Sequence, residues 1–212
     1  MRIPVAGFTL EAEAQLVDGA PTAIVCHPHP AFGGRMDNPL VVALADACAG
    51  AGLSTVRFNF RGLDGSEGTP TGGVAEHEDV AAAIAWARAA GAPQVALVGY
   101  SFGALMAARA LADGADVAAF AAVGFPTTLL GHAPDRVAIV ECALERRVPW
   151  LFVDGDADQF CEIDRLDAWV KGRPWARNDV LPGRGHFFAG PGEEAEVCDR
   201  IARFVREATC GR

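Results

Sequence analysis

The sequence predicts an α/β protein, namely a three-layer α/β/α sandwich built on a mostly parallel sheet. Short apolar runs alternate along the chain with longer helical segments, and this alternation implies parallel strand pairing. The chain has 212 residues, of which 51% are hydrophobic and 21% charged, so it can bury a sizeable core. Neither a linker nor an internal repeat divides it, and we therefore expect a single domain over residues 1–212.

Each element in the first half of the chain has its own signal. Residues 9–17 alternate in polarity and end at Asp18-Gly19, as a half-buried strand before a turn does. Residues 23–26 are wholly apolar, which is typical of a strand covered on both faces. Asn38 and Pro39 supply the cap and first-turn proline of a helix that ends near residue 49. The next elements are a strand over 54–59, a glycine-rich loop over 62–73 and an alanine-rich helix over 74–90.

The second half repeats the alternation. Short apolar runs predict strands at 94–98, 117–123, 150–153 and 178–181. Helices are predicted over 102–112, about 136–146, 163–170 and 193–207. In such a sheet, ligands bind beyond the carboxyl ends of the strands. The residues that directly follow each strand are therefore the candidates for chemistry.

Composition and charge disfavour several kinds of partner. The formal net charge is −9, from 27 acidic and 18 basic residues, which argues against nucleic acid and against an anionic membrane surface. Charges and glycines interrupt every apolar stretch before it reaches the ~20 residues of a membrane span. The N-terminal residues carry only Arg2 as a basic group and lack a signal-peptide core. The six cysteines are scattered, as reduced thiols are, and we expect a cytoplasmic protein.

The strongest chemical motif follows the strand at 94–98. It reads Gly99-Tyr100-Ser101-Phe102-Gly103 and leads into a helix, which is G-x-S-x-G in a strand–turn–helix context. A nucleophile on a strained turn needs neighbours without a Cβ, and Gly99 and Gly103 meet that need. With three serines and 24 glycines in the chain, random placement gives about 0.04 such motifs. Ser101 is therefore the candidate nucleophile.

A serine nucleophile needs a base, and the base needs an orienting carboxylate. Three carboxylates, those of Asp154, Asp156 and Asp158, follow the strand at 150–153. His186 follows the last strand and is flanked by Gly185 and two phenylalanines. Its position after a strand end favours a catalytic base over a surface-loop histidine.

A third loop, His27-Pro28-His29-Pro30, follows the strand at 23–26 and has two interpretations. Two histidines at i and i+2 could ligate a metal ion. The favoured alternative places the loop beside Ser101, where it supplies an N–H group to an oxyanion hole. Prolines have no N–H, so the donor is then His29, Ala31 or Phe32. The glycine-rich loop at 62–73 matches no phosphate-binding pattern, and we expect no cofactor and no metal.

Together these segments resemble the α/β-hydrolase superfamily, and more narrowly its small lidless bacterial serine hydrolases, related to dienelactone-hydrolase-like enzymes. The resemblance runs over nearly the whole chain. It rests on the segments His27-Pro28-His29-Pro30, Arg57-Phe58-Asn59-Phe60-Arg61-Gly62, Gly99–Gly103, Gly155–Asp158 and Gly185–Phe188. It implies Ser101 as nucleophile, Asp158 as acid and His186 as base. It also implies His29 and Phe102 as oxyanion donors, although His27-Pro28 stands where the superfamily often has His-Gly.

This resemblance implies an α/β-hydrolase fold without a lid domain and a serine esterase that acts on a small-molecule acyl substrate. A thioester or an amide is a less favoured substrate. The short connection 124–135 leaves no room for a lid, so we expect an open pocket walled by Phe32, Tyr100 or Phe125. A monomer or homodimer is expected. Two alternatives stay open: the same triad used for acyl transfer or another pathway-specific reaction, and a binding module with a vestigial triad.

Overall fold

The computed structural model describes residues 1–130 and 134–211. Within them the eight strands are β1 (Arg2–Val5), β2 (Phe8–Gln15), β3 (Thr22–Cys26), β4 (Ser54–Phe58), β5 (Val95–Tyr100), β6 (Ala119–Val123), β7 (Trp150–Gly155) and β8 (Ala176–Leu181). The helices of the same residues are α1 (Pro39–Gly50), α2 (Glu76–Ala89), α3 (Phe102–Ala112), α4 (Pro134–Leu144), α5 (Ile163–Val170) and α6 (Glu193–Cys210).

All eight strands lie in one sheet, in the order β1-β2-β4-β3-β5-β6-β7-β8. The pairs β1–β2 and β2–β4 are antiparallel, and every pair from β4 to β8 is parallel. The central strands β3, β5, β6 and β7 are buried along their whole length. Their continuous apolar runs reflect coverage on both faces, as parallel sheets require. The mostly parallel sheet predicted from the sequence is confirmed.

Each face of the sheet has its own apolar core. On one face, buried side chains of α2, α3, α4 and α5 pack together, for example those of Leu111 and Trp169. On the other face α1 and α6 form a second core that includes Leu44 and Ile201. Two cores separated by one sheet make the three-layer α/β/α sandwich that the sequence predicts.

The structure adds an N-terminal strand that the sequence analysis lacks. β1 forms a hairpin with β2 through a turn at Gly7, whose φ of 91° is a left-handed value that favours glycine. The run is only four residues long and contains Pro4, so it carries a weak strand signal. The strands β5 and β7 also run two residues past their predicted ends, because Tyr100 pairs with Val123 and Gly155 with Leu181.

The parallel strands end along one edge of the sheet, where their loops meet. The loops after β3, β5, β7 and β8 carry the candidate residues of the four motifs. Between β6 and α4, the described part of the connection contains one short 3-10 turn, Thr127–Leu130. Residues 131–133 of the connection expected to lack a lid lie outside the described residues. None of the described helices is long and apolar enough to span a membrane.

Candidate active site

Ser101 lies on the sharp turn between β5 and α3. Its φ of 54° and ψ of −114° are strained for a residue with a Cβ. A Cβ on Gly99 would overlap the backbone of Ala104, and one on Gly103 would overlap the carbonyl of Cys26. Only glycine fits at both positions, which is the steric reason that the G-x-S-x-G pattern forms this turn.

Ser101, His186 and Asp158 form one hydrogen-bonded chain. The Oγ of Ser101 lies 3.0 Å from Nε2 of His186, and Nδ1 of His186 lies 2.7 Å from Oδ2 of Asp158. The three residues are 8%, 5% and 5% exposed, in the order Ser101, Asp158 and His186. The distance between Ser101 and His186 permits proton transfer, and the distance between His186 and Asp158 lets the carboxylate stabilise the ring. Burial strengthens the interaction between histidine and carboxylate.

The loop that carries Asp158 is docked against the loop that carries His186. A Cβ on Gly155 would overlap the carbonyl of Arg184, so glycine allows the two loops to touch. The N–H of Ala157 donates to the same carbonyl at 3.0 Å. Oδ1 of Asp158 accepts the N–H of Phe160 at 2.7 Å, which fixes the carboxylate and leaves Oδ2 for the histidine. These backbone contacts set the register between the acid and the base.

The other two carboxylates of this segment do not reach His186. Asp154 lies inside β7 and is fully buried, and its Oδ1 accepts the N–H of Phe125 at 2.6 Å. Its Oδ2 has no hydrogen-bond partner among the described residues, and burial raises the pKa of this carboxyl to about 8. Asp156 is exposed, and its Oδ1 accepts the N–H of Gly183 at 2.6 Å.

Three residues that surround His186 hold its ring and its backbone. The hydroxyl of Tyr100 donates to the carbonyl of His186 at 3.2 Å. The ring of Phe160 meets the imidazole edge-on at 4.8 Å between centroids. Gly124, with a φ of 56°, faces the ring so closely that a Cβ there would lie 3.2 Å from it. Sequence reasoning missed all three contacts, because they join segments far apart in the chain.

The pocket wall expected from the sequence requires a correction. Phe125 has no exposed surface and packs edge-on against Phe152 and Trp169 in the core. Tyr100 is 3% exposed and lies beneath His186. Neither side chain can wall an open pocket, because Tyr100 at the end of β5 and Phe125 two residues after β6 are both buried in the apolar cores. Phe32, by contrast, is 88% exposed and lines the cavity beside the site.

The loop after β3 uses its two histidines for its own shape. Nδ1 of His27 lies 2.7 Å from the carbonyl of Pro28, and Nε2 accepts the N–H of Phe60 at 3.1 Å. Burial lowers the pKa of His27 to about 4, so the ring is neutral near pH 7. With both nitrogens engaged, His27 has none left for a metal ion. The described residues contain no group of three or more potential metal-ligating side chains.

The same loop leaves one N–H group for an oxyanion. The N–H of Ala31 donates to Nδ1 of His29 at 3.1 Å, and the N–H of Phe32 donates to the carbonyl of His29 at 3.0 Å. Pro30 has no N–H. Within the described residues the N–H of His29 makes no hydrogen bond. On the other side of the site, Phe102 begins α3, where the first N–H groups lack acceptors in the helix.

A cavity of about 510 Å³ opens beside the two candidate donors His29 and Phe102. Residues of α3, of α4 and of the segment 72–74 form its walls. Sequence reasoning did not identify this cavity. One signal for it exists on α3, where Phe102, Leu105, Met106 and Arg109 have the spacing of a single helix face.

Comparisons with solved structures agree with this fold. An alpha-beta serine hydrolase homologue from Coxiella burnetii is 33% identical, with a TM-score of 0.80 over 96% of this chain and 95% of that one. The protein ATU1826 from Agrobacterium tumefaciens is 26% identical, with a TM-score of 0.83 over 100% and 97% of the two chains. XC6422 from Xanthomonas campestris, a serine hydrolase without lid, is 25% identical, with a TM-score of 0.76 over 100% and 96%.

Sequence comparisons lead to the same group. The protein RP471 of Rickettsia prowazekii is 29% identical over 183 residues, which cover 82% of this chain and 75% of that protein. A family model described as an alpha/beta hydrolase domain matches residues 21–206, most of the chain. The chain therefore belongs to the alpha/beta hydrolase family.

Proposed function

We propose that this hydrolase of the alpha/beta superfamily cleaves a small carboxylic ester through a covalent acyl-enzyme on Ser101. The observation that carries the proposal is the hydrogen-bonded chain from Ser101 Oγ through His186 to Asp158, with links of 3.0 and 2.7 Å. A nucleophile, a base and an orienting carboxylate in that geometry can perform acyl transfer to serine and then to water.

In the first half of the reaction, Ser101 Oγ attacks the carbonyl carbon of the ester while Nε2 of His186 takes the hydroxyl proton. The carboxylate of Asp158 holds the proton of His186 on Nδ1 and stabilises the imidazolium that forms. The tetrahedral intermediate then collapses, and Nε2 gives its proton to the departing alcohol. In the second half, His186 activates water, which releases the acid and restores Ser101.

The negative charge of the tetrahedral oxygen requires fixed donors. We assign this task to the N–H groups of His29 and Phe102, since the other N–H groups of the 29–32 loop are already engaged. Each such donor is worth about 3 kcal/mol in comparable sites. Apart from the ester and water, every group that acts in this scheme belongs to the chain.

The decisive experiment compares the wild type with Ser101→Ala. With 4-nitrophenyl acetate as substrate, we expect the variant to lose turnover while its melting temperature stays unchanged, because the serine side chain contributes little packing. A fluorophosphonate probe should label the wild type at Ser101 and leave the variant unlabelled. Residual activity above about a tenth of the wild type would contradict the assignment.

The same assay separates hydrolysis from acyl transfer. Product analysis in the presence of an alcohol or amine acceptor shows whether the acyl group goes to water or to the acceptor. We expect the free acid as the main product. If the acyl group went mainly to the acceptor, the reaction would be acyl transfer by the same three residues, and the assignment as a hydrolase would be wrong.

A further inference from the structure

The cavity beside the site has one wall on α3. The lining residues of this helix are Phe102, Leu105, Met106 and Arg109. The last three follow Phe102 by three, four and seven positions, so all four lie on one face of the helix. Phe102 is at the end of this face that adjoins Ser101. Arg109 lies seven residues farther along, about 10 Å down the helix axis. The wall is therefore apolar close to the candidate nucleophile and cationic away from it.

The second wall lies on α4 and has the same character. Arg136, Ile139 and Val140 line the cavity at spacings of three and four residues, which again define one helix face. Two apolar stripes, each with one arginine, thus face the same space.

A third wall, the segment 72–74, is held in place from behind. The carboxylate of Glu76 accepts the N–H of Thr71 at 2.6 Å and the N–H of Gly73 at 2.8 Å. Gly73 in turn lies against the ring of Phe102. This wall is anchored to the rest of the fold, so the cavity does not need a ligand to form it.

Three lining side chains are both large and apolar and yet open to water. Phe32, Val74 and Leu129 are 88%, 68% and 51% exposed, and all three line the cavity. Grouped apolar side chains at the surface of a protein mark binding sites more often than scattered ones do. An apolar group of a ligand would cover them.

The charge of the cavity is opposite to that of the whole chain. Among the described residues that line it none is acidic, although the chain has a net charge of −9. Outside the lining, Asp113 lies 3.1 Å from Arg109 and 3.2 Å from His77, and about half of its side chain is exposed. The carboxylate of Glu76 stands behind the wall 72–74, where the N–H groups of Thr71 and Gly73 engage it. The guanidinium groups of Arg109 and Arg136 are the charges that the described lining itself presents to a ligand.

We propose that this cavity binds the acyl group of the substrate and that this acyl group ends in a carboxylate, which pairs with Arg109 and Arg136. The proposal rests on the proposed function. In that mechanism the leaving group lies toward His186, which gives it a proton, whereas both oxyanion donors, His29 and Phe102, line the cavity. The acyl chain therefore extends into the cavity. An acyl chain of about eight carbons, with bonds of about 1.5 Å, is long enough to approach Arg109.

The test uses two esters of equal chain length, 4-nitrophenyl hydrogen suberate and 4-nitrophenyl octanoate. We expect the wild type to have the higher kcat/KM for the suberate ester. The ratio of the two kcat/KM values should fall about fivefold in Arg109→Gln and in Arg136→Gln, which is the upper range for a partly exposed ion pair. Raising the salt concentration should lower the ratio in the wild type, because ions screen exposed charges.

Arg203→Gln is the matched control. It removes the same charge from an exposed position on α6, in the opposite helix layer, and should leave both kcat/KM values unchanged. Arg109→Gln also frees Asp113, so Arg136→Gln carries the test if the first variant is unstable.

The outcomes distinguish the two proposals. If hydrolysis depends on Ser101 but the wild type prefers the octanoate ester, the carboxylate proposal is wrong and the proposed function stands. The same conclusion follows if the ratio of the two kcat/KM values is unchanged in both arginine variants. If the wild type cleaves neither ester and the fluorophosphonate does not label Ser101, both proposals are wrong.

Discussion

Replacing Asp158 by asparagine tests how the candidate base is held. The carboxylate has two acceptor oxygens and uses both, one for His186 Nδ1 at 2.7 Å and one for the N–H of Phe160 at 2.7 Å. Asparagine keeps the size and shape of the side chain but offers one acceptor oxygen and one NH2 group. It cannot satisfy both partners in the same way, and the two possible orientations of the amide have different costs.

If the amide oxygen of the asparagine faces His186, the NH2 group of the same side chain faces the N–H of Phe160. Two donors then meet in a largely buried site, at a cost of about 1–3 kcal/mol. If the oxygen faces Phe160 instead, the NH2 group donates to Nδ1 and forces the proton onto Nε2. We expect this second orientation because the N–H of Phe160, the NH2 group of the asparagine and Nδ1 of His186 then all have a hydrogen-bond partner.

In that tautomer Nε2 points a proton at Ser101 Oγ, 3.0 Å away, and cannot accept one. The same carboxylate-to-amide change in other serine triads lowers turnover by about 10⁴ while the geometry stays intact. We expect a loss of that size here, which equals about 5 kcal/mol of transition-state stabilisation.

The assay is turnover of 4-nitrophenyl acetate, with thermal unfolding measured alongside. Asp156→Asn is the matched control: its amide oxygen can still accept the N–H of Gly183, and the residue does not touch His186. It should cost less than about tenfold, the size of an indirect effect. If Asp156→Asn were the more damaging substitution, the acid would have to be reassigned to Asp156 and the reasoning would be refuted.

Two further predictions concern metal and pH. Dialysis against EDTA should leave esterase activity unchanged. His29→Ala should retain a substantial fraction of that activity because alanine keeps the N–H, whereas His186→Ala should be nearly inactive. If activity were lost on EDTA and recovered on added zinc, the metal-free mechanism would be wrong. The pKa of Asp154 is about 8 in the fold against the usual 3.8, so its neutral form stabilises the protein at pH 4 and below, and that contribution declines as the pH rises toward 8. Urea unfolding across this range should therefore show the wild type losing free energy of unfolding relative to Asp154→Asn, and parallel pH dependences would refute the shift.

The sequence determined the layered fold and the turn that carries Ser101. Apolar runs such as 23–26 and 117–123 predict strands covered on both faces, and their alternation with helices predicts parallel pairing. The structure has β3 at Thr22–Cys26 and β6 at Ala119–Val123. Gly99 and Gly103 flank the serine because the backbone of the neighbouring segments leaves no room for a Cβ. The apolar runs and the contact between Gly99 and Ala104 are local, since they depend on a short stretch of chain. The contact between Gly103 and the carbonyl of Cys26 is tertiary, although its glycine stands in the local pattern.

Tertiary structure decided which side chains meet. Asp154, Asp156 and Asp158 are equivalent in type and lie within five residues, yet only Asp158 reaches His186, because Gly155 lets its loop dock on Arg184. Tyr100 and Phe125 were expected in a pocket and belong to the interior, because β5 extends through Tyr100 and the backbone of Phe125 bonds to a side chain of β7.

The cavity between α3 and α4 is likewise a product of packing. Each helix shows an apolar stripe in the sequence, but a stripe is the same whether it faces the core or a ligand. Ser101 and His186 are 85 residues apart and lie 3.0 Å from each other only because the loops after β5 and β8 reach the same edge of the sheet. Distances between remote segments depend on how loops dock on one another, and local sequence patterns do not record that.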